Sequence, residues 1–232
     1  MKKAFSLIEL SIVIVIIGLL ISAISVTTNI TNDLKLKKVI KDMNDVVLAL
    51  KQFRLIYNDL PGDIPNAYDY WGSAFSCTNA VATVNSTGCN GDGDGLVNNT
   101  SAGNRHEGYR AWQQLGHLDL IRGDYTGQYS SGFNCTPGTN TFETAMQGLA
   151  ISFSTGRNLL LGGTVSNDNC WGGGISPVDA QYIDRKIDNG ISSTGFITAA
   201  NGSGKSNCVD GSGYKSNTTL ECRVFYIDAY DE

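Results

Sequence analysis

The chain has 232 residues, 41% hydrophobic and 17% charged, a globular balance that excludes a disordered polymer and leaves room for one membrane segment and one or two modest domains. Glycine and charge divide it at one place: residues 1–57 hold a single glycine, Gly18, and a net charge of +4, whereas residues 58–232 hold the other 26 glycines and a net charge of −9. The acidic distal part argues against nucleic-acid binding through phosphate neutralisation, and His106 and His117 are too few for a histidine-rich metal site or several histidine-based catalytic centres.

The first element is apolar. Met1-Lys2-Lys3-Ala4 is a short basic leader, followed by the 22 residues Phe5–Val26, in which Glu9 is the only charge. Roughly 20 apolar residues span a bilayer as a helix, and Lys2 and Lys3 would hold the N-terminus on the cytoplasmic side. A secretory signal peptide is one alternative, but the apolar stretch exceeds the usual length of roughly 7–15 residues and the small-residue pattern near Ser22-Ala23 is poor. A plain membrane anchor is another. Neither explains Glu9, because a carboxylate inside an apolar span is costly without a partner and reads as functional. Cleavage after Ala4 would create an α-amino group on Phe5, and in an assembly that amine could face Glu9 of a neighbouring subunit and set the axial register.

These residues carry a resemblance. Ala4-Phe5-Ser6-Leu7-Ile8-Glu9-Leu10 resembles the class III signal of type IV pilins and of the pseudopilins of type II secretion. The resemblance implies a prepilin peptidase that cuts before Phe5 and methylates the new amine, so Ala4 and Phe5 are the expected processing residues and Glu9 the assembly residue. The family usually has glycine before the cut, where this chain has Ala4.

The helix is expected to continue beyond the membrane. No proline precedes Pro61, and Leu36, Val39, Ile40, Met43, Val46, Val47, Leu50, Phe53 and Tyr57 recur at steps of three and four. Lysines 35, 37, 38, 41 and 51, with Asp42, Asp45 and Arg54, occupy much of the remaining surface. Phe5–Tyr57 as one helix would reach roughly 80 Å, and Asn58-Asp59-Leu60-Pro61-Gly62 would stop it. The pilin resemblance implies this form, an apolar half for assembly (5–26) and an amphipathic half (27–58) packed on a head (59–232), after a leader (1–4).

In the head, helices are expected over Glu107–Gln114 and from the capping box Ser176-Pro177-Val178-Asp179 to Asn189-Gly190. Leu149–Phe153, Leu159–Leu161, Phe196–Ala199 and Arg223–Ile227 read as strands. The expected fold class is α+β, an antiparallel sheet covering the long helix. Cys77, Cys89, Cys135, Cys170, Cys208 and Cys222 all lie in the head, and an even count on the exported side reads as disulfides. Six cysteines allow fifteen pairings, among which the sequence does not choose. The expectation is the local pairs Cys77–Cys89 and Cys208–Cys222, leaving Cys135–Cys170. Zinc is the runner-up, weakened by the absence of any Cys-x-x-Cys.

Asn90-Gly91-Asp92-Gly93-Asp94-Gly95 alternates oxygen donors with glycines and matches the opening of a calcium loop, with Asn90, Asp92 and Asp94 as candidate ligands. Its twelfth position is Ser101 where a bidentate Glu is expected; Asn98, Asn99, Glu107 or a backbone carbonyl would complete the shell, and the alternative is a solvated turn. Gly202-Ser203-Gly204-Lys205-Ser206 mimics the end of a phosphate loop, but Ala199 replaces its first glycine and a flexible loop is expected. No nucleophile elbow or His-Glu-x-x-His helix is present, and no enzyme is expected.

The sequence thus reads as a pilin or minor pilin, with a type II secretion pseudopilin as the alternative. Its expected partners are other pilin subunits, the prepilin peptidase and an inner-membrane assembly platform. Its expected location is the bacterial inner membrane with the head in the periplasm, then a filament. A rival of another class is a membrane-anchored or secreted adhesin that never polymerises.

Overall fold

The computed structural model describes residues 6–83, 87–98, 106–128, 135–154, 157–165 and 168–229, without the side chains of residues 22–29, 168 and 169. Its first element, α1 (Leu7–Tyr57), is a single helix of 51 residues, about 77 Å long. It stops at Asn58, whose left-handed backbone (φ 55°) places its N–H on the Arg54 carbonyl, and the Leu60-Pro61 step carries the chain away. The two halves of α1 live in different surroundings. The apolar side chains from Leu7 to Ile21 are exposed, whereas Leu36, Val39, Met43, Val46, Leu50 and Phe53 are buried in one core with the head, and Ile40, Val47 and Tyr57 pack against it.

Three shorter helices surround that core. The first, α2 (Ala67–Phe75), was not expected from the sequence, because its nine residues include Gly72 and its N-cap Asn66 makes no side-chain capping bond. What holds it is aromatic packing: Trp71 lies 6.2 Å from Phe53 and 5.1 Å from Tyr57, ring centre to ring centre. The second, α3 (Glu107–His117), buries Trp112 against Phe153 and Phe142 at 4.8 and 6.0 Å. The third, α4 (Pro177–Ile187), starts as its sequence dictates, with the Asp179 N–H donating to the Ser176 hydroxyl at 3.2 Å and Pro177 in the first turn.

The strands are β1 (Thr78–Val81), β2 (Gly88–Asn90), β3 (Phe142–Glu143), β4 (Leu149–Phe153), β5 (Leu159–Val165), β6 (Asp168–Gly172), β7 (Ile197–Asn201), β8 (Val209–Asp210), β9 (Gly213–Tyr214) and β10 (Cys222–Tyr226). The main sheet runs β3-β4-β5-β10-β7, with β6 also on β5, and every pair in it is antiparallel. One strand, β5, serves three neighbours: residues 159–161 pair with β10 on one side, 159–163 with β4 on the other, and 163–165 with β6. Val224, Ile151 and Leu161 are buried in the core shared with α1, so the fold is α+β with the amphipathic half of the helix packed with an antiparallel sheet.

Arg122 ties these layers together. Its guanidinium donates to both carboxylate oxygens of the buried Asp42 at 2.7 and 3.2 Å, donates to the Glu143 carbonyl at 2.8 Å, and lies 4.5 Å from the Phe142 ring centre. Disulfides join Cys77 to Cys89, Cys135 to Cys170 and Cys208 to Cys222, closing separations of 12, 35 and 14 residues. Gly202–Ser206 lies between β7 and β8 with no helix after it, and the Ser203 N–H donates to the Trp171 carbonyl at 2.7 Å.

Candidate functional site

At the start of α1, Ser6 is the N-cap, with an extended backbone (φ −75°, ψ 141°). Its hydroxyl accepts the Ile8 N–H at 3.3 Å, and Glu9 closes a capping box by accepting the Ser6 N–H at 2.9 Å. The carboxylate that stands alone in the apolar sequence is therefore placed in the first turn, at the positive end of the helix dipole. Ala4 and Phe5 lie outside the described residues. Downstream, Leu7 is 87% exposed and the isoleucines and leucines to Ile21 roughly half to two-thirds. Among the described residues no helix is long and apolar enough to cross a membrane.

The second region is the acidic loop after Cys89, and its geometry differs from the linear reading. Asp63, which arrives from the turn after α1, joins Asp92 and Asp94, so that one carboxylate oxygen from each lies within 4.8 Å of the others. Asp63 is buried and accepts the Gly93 and Gly95 N–H groups, both at 2.8 Å. Burial dominates these two bonds: with the Asp59 and Asp94 charges adding to it, the carboxyl is pushed up to about 6. Gly91 is required for the approach, because a Cβ there would lie 2.2 Å from the Asp63 backbone. The buried Glu107 accepts the Asp92 N–H at 3.2 Å and the Asn98 N–H at 2.8 Å, which fastens both ends of the loop to α3.

Asn90 is engaged elsewhere. Its side-chain oxygen accepts the Tyr68 N–H at 2.8 Å and its amide donates to Asn79 at 2.8 Å, so it joins α2 to β1. Asn99 and Ser101 lie outside the described residues. Three carboxylate oxygens at this spacing suit a hard cation with oxygen ligands at roughly 2.3–2.6 Å, since opposite ligands then stand about 5 Å apart. Asp63 escaped the sequence reading because it lies in a Pro-Gly-Asp turn that resembles an ordinary helix stop, far from the loop that it completes.

A groove of about 540 Å³ runs along the upper half of α1, between Lys41, Asp45 and Leu48 on the helix and Asp119–Arg122 on the head. Arg122 is already engaged by Asp42 there. Trp71 and Trp112 are buried in the core, whereas the half-buried Trp171 carries the Arg223 guanidinium 4.2 Å from its ring centre.

No curated protein and no solved structure matches the chain. Residues 1–25 match the family described as the prokaryotic N-terminal methylation motif. That match spans Ala4, Phe5, the Ser6–Glu9 cap and most of the apolar run, and it ends before the amphipathic half of α1 and the head. The chain therefore carries the N-terminal signal of type IV pilins and pseudopilins, proteins that are structural rather than catalytic.

Proposed function

We propose that the protein is a pilin or minor pilin of a type IV pilus-like filament. The observation that carries this reading is the methylation motif on a helix whose apolar half is exposed and whose other half is packed into a head. In this reading Phe5–Val26 holds the precursor in the inner membrane with its head in the periplasm. A prepilin peptidase cuts before Phe5 and methylates the new amine. Subunits then pass to an inner-membrane assembly platform and associate through their apolar helices, with Glu9 of one facing the amine of the next. A type II secretion pseudopilin shares the same motif, and the head, with its three disulfides, favours the pilus reading because it is large for a major pseudopilin.

The test is the mature N-terminus, by intact mass and terminal fragmentation of protein isolated from its own membranes. A chain that begins at Phe5, with or without one methyl group, is expected. A chain that begins at Met1 would favour a static anchor, and one that begins near Ala23 a secreted binding protein; either result removes the assembly role of Glu9.

Within the same reading the head takes a calcium ion through Asp63, Asp92 and Asp94. Calorimetry on the purified protein is expected to show heat at up to millimolar calcium and a rise in melting temperature, both lost in Asp92→Asn/Asp94→Asn. No heat and no shift would leave the loop as a hydrogen-bonded turn.

A further inference from the structure

We propose that Arg110 holds a small oxyanion, of phosphate or carboxylate type, in the head between α3, Thr87 and Gly127. The site does not depend on the filament reading, because it uses neither the N-terminal motif nor the acidic loop.

A guanidinium stays charged in proteins and is almost never fully buried without a partner. Arg110, on the first turn of α3, is 2% exposed. Burial alone pulls its pKa down, to about 10, which leaves it charged at neutral pH. Its hydrogen-bond acceptors are two neutral oxygens: Nη1 donates to the Gln113 Oε1 at 2.7 Å, and Nη2 donates to the Thr87 carbonyl at 3.4 Å. Most of the five guanidinium donors are thus without an acceptor among the described residues. No carboxylate among the described residues pairs with it. Glu107, three residues earlier, gives its two oxygens to the Asp92 and Asn98 N–H groups. Residues 83–87 and 125–135, the stretches around Thr87 and Gly127, contain no Asp or Glu. Arg122 is the contrast: its side chain is half exposed, yet it has both oxygens of the Asp42 carboxylate.

A buried charge without a counter-charge is costly, and an anion that enters the site removes that cost. The guanidinium fork suits an oxyanion, which can accept two parallel N–H bonds. Gly127 keeps the space beside the fork clear, because a Cβ there would lie 2.0 Å from the Gln113 Oε1 and 3.0 Å from the Arg110 Nη1. The burial of Arg110 sets the size of the occupant, an ion of a few atoms rather than a peptide or a sugar.

The test is calorimetric titration of inorganic phosphate into the full chain, in chloride buffer at constant ionic strength, with melting curves beside it. One site per chain is expected, with a dissociation constant of about 1 mM. At ten times that concentration the folded state is favoured about elevenfold, which raises the melting temperature by about 3–6 °C. Arg110→Gln should lose this shift, and Arg185→Gln, which removes an exposed arginine, should keep it. Gly127→Ala retains the charge and fills the space, so it should bind phosphate at least about tenfold more weakly. Acetate is the second probe, and a larger shift with acetate keeps Arg110 as the holder and makes the ion a carboxylate. No heat and no shift with either ion overturns the proposal. So does an unchanged shift in Arg110→Gln, or wild-type affinity in Gly127→Ala.

Discussion

His106 stands at the start of α3, 4% exposed, with its ring stacked 5.5 Å from that of Tyr109. Burial holds its pKa down to about 4, against about 6.5 for an exposed imidazole. Between those values the unfolded chain binds a proton that the folded one refuses. The contribution is therefore complete above about pH 6.5 and is lost as pH falls towards 4, by up to about 3 kcal/mol. Denaturant unfolding at pH 7.5 and 4.5 should show wild type losing more stability on acidification than His106→Gln. Equal losses would remove His106 as the responsible group. The same scale explains the acidic loop, where Asp63 is buried among carboxylates and Asn90, the residue nearest Cys89 in the motif, is engaged by Tyr68 and Asn79.

At the scale of elements, α1 is one continuous helix with two chemistries. Its upper half is held by side chains that repeat at three and four residues, and the cost of removing one depends on which face it occupies. Phe53 is fully buried, 4.6 Å from the Tyr57 ring centre and 6.2 Å from that of Trp71, so Phe53→Ala should cost about 3–5 kcal/mol. Leu55, two residues on, is 86% exposed, and Leu55→Ala should change stability by less than about 0.5 kcal/mol. Urea unfolding of the two variants measures the contrast. Similar losses would mean that the helix does not pack in this orientation.

The whole molecule combines a sheet of short strands with long irregular connections, and its three disulfides all lie in the head. In the chain-entropy picture the separations of 12 and 14 residues each contribute about 3 kcal/mol and that of 35 residues about 4 kcal/mol. Replacing both cysteines of one pair by serine should therefore lower the melting temperature in every case, and most for Cys135–Cys170. Scanning calorimetry of the three double variants, with the reduced wild type beside them, checks the order. Unchanged melting after full reduction would show that the core alone carries the head.

Much of this protein is encoded within a few residues of where it acts. The length of α1, its end at Asn58, its buried stripe, the cap of α4 and the N-terminal motif were legible because periodicity, capping and cleavage signals each need only a short window of chain. The strands β4, β7 and β10 and the first three residues of β5 were legible for the same reason, from short apolar runs. Their order was not: β10, near the C-terminus, lies between β5 and β7. Tertiary structure also decided the pairing of Arg122 with Asp42 across 80 residues, the existence of α2, and the arrival of Asp63 at the acidic loop. These contacts leave no local pattern, because the loop entropy they cost is recovered only when the shared core closes around them.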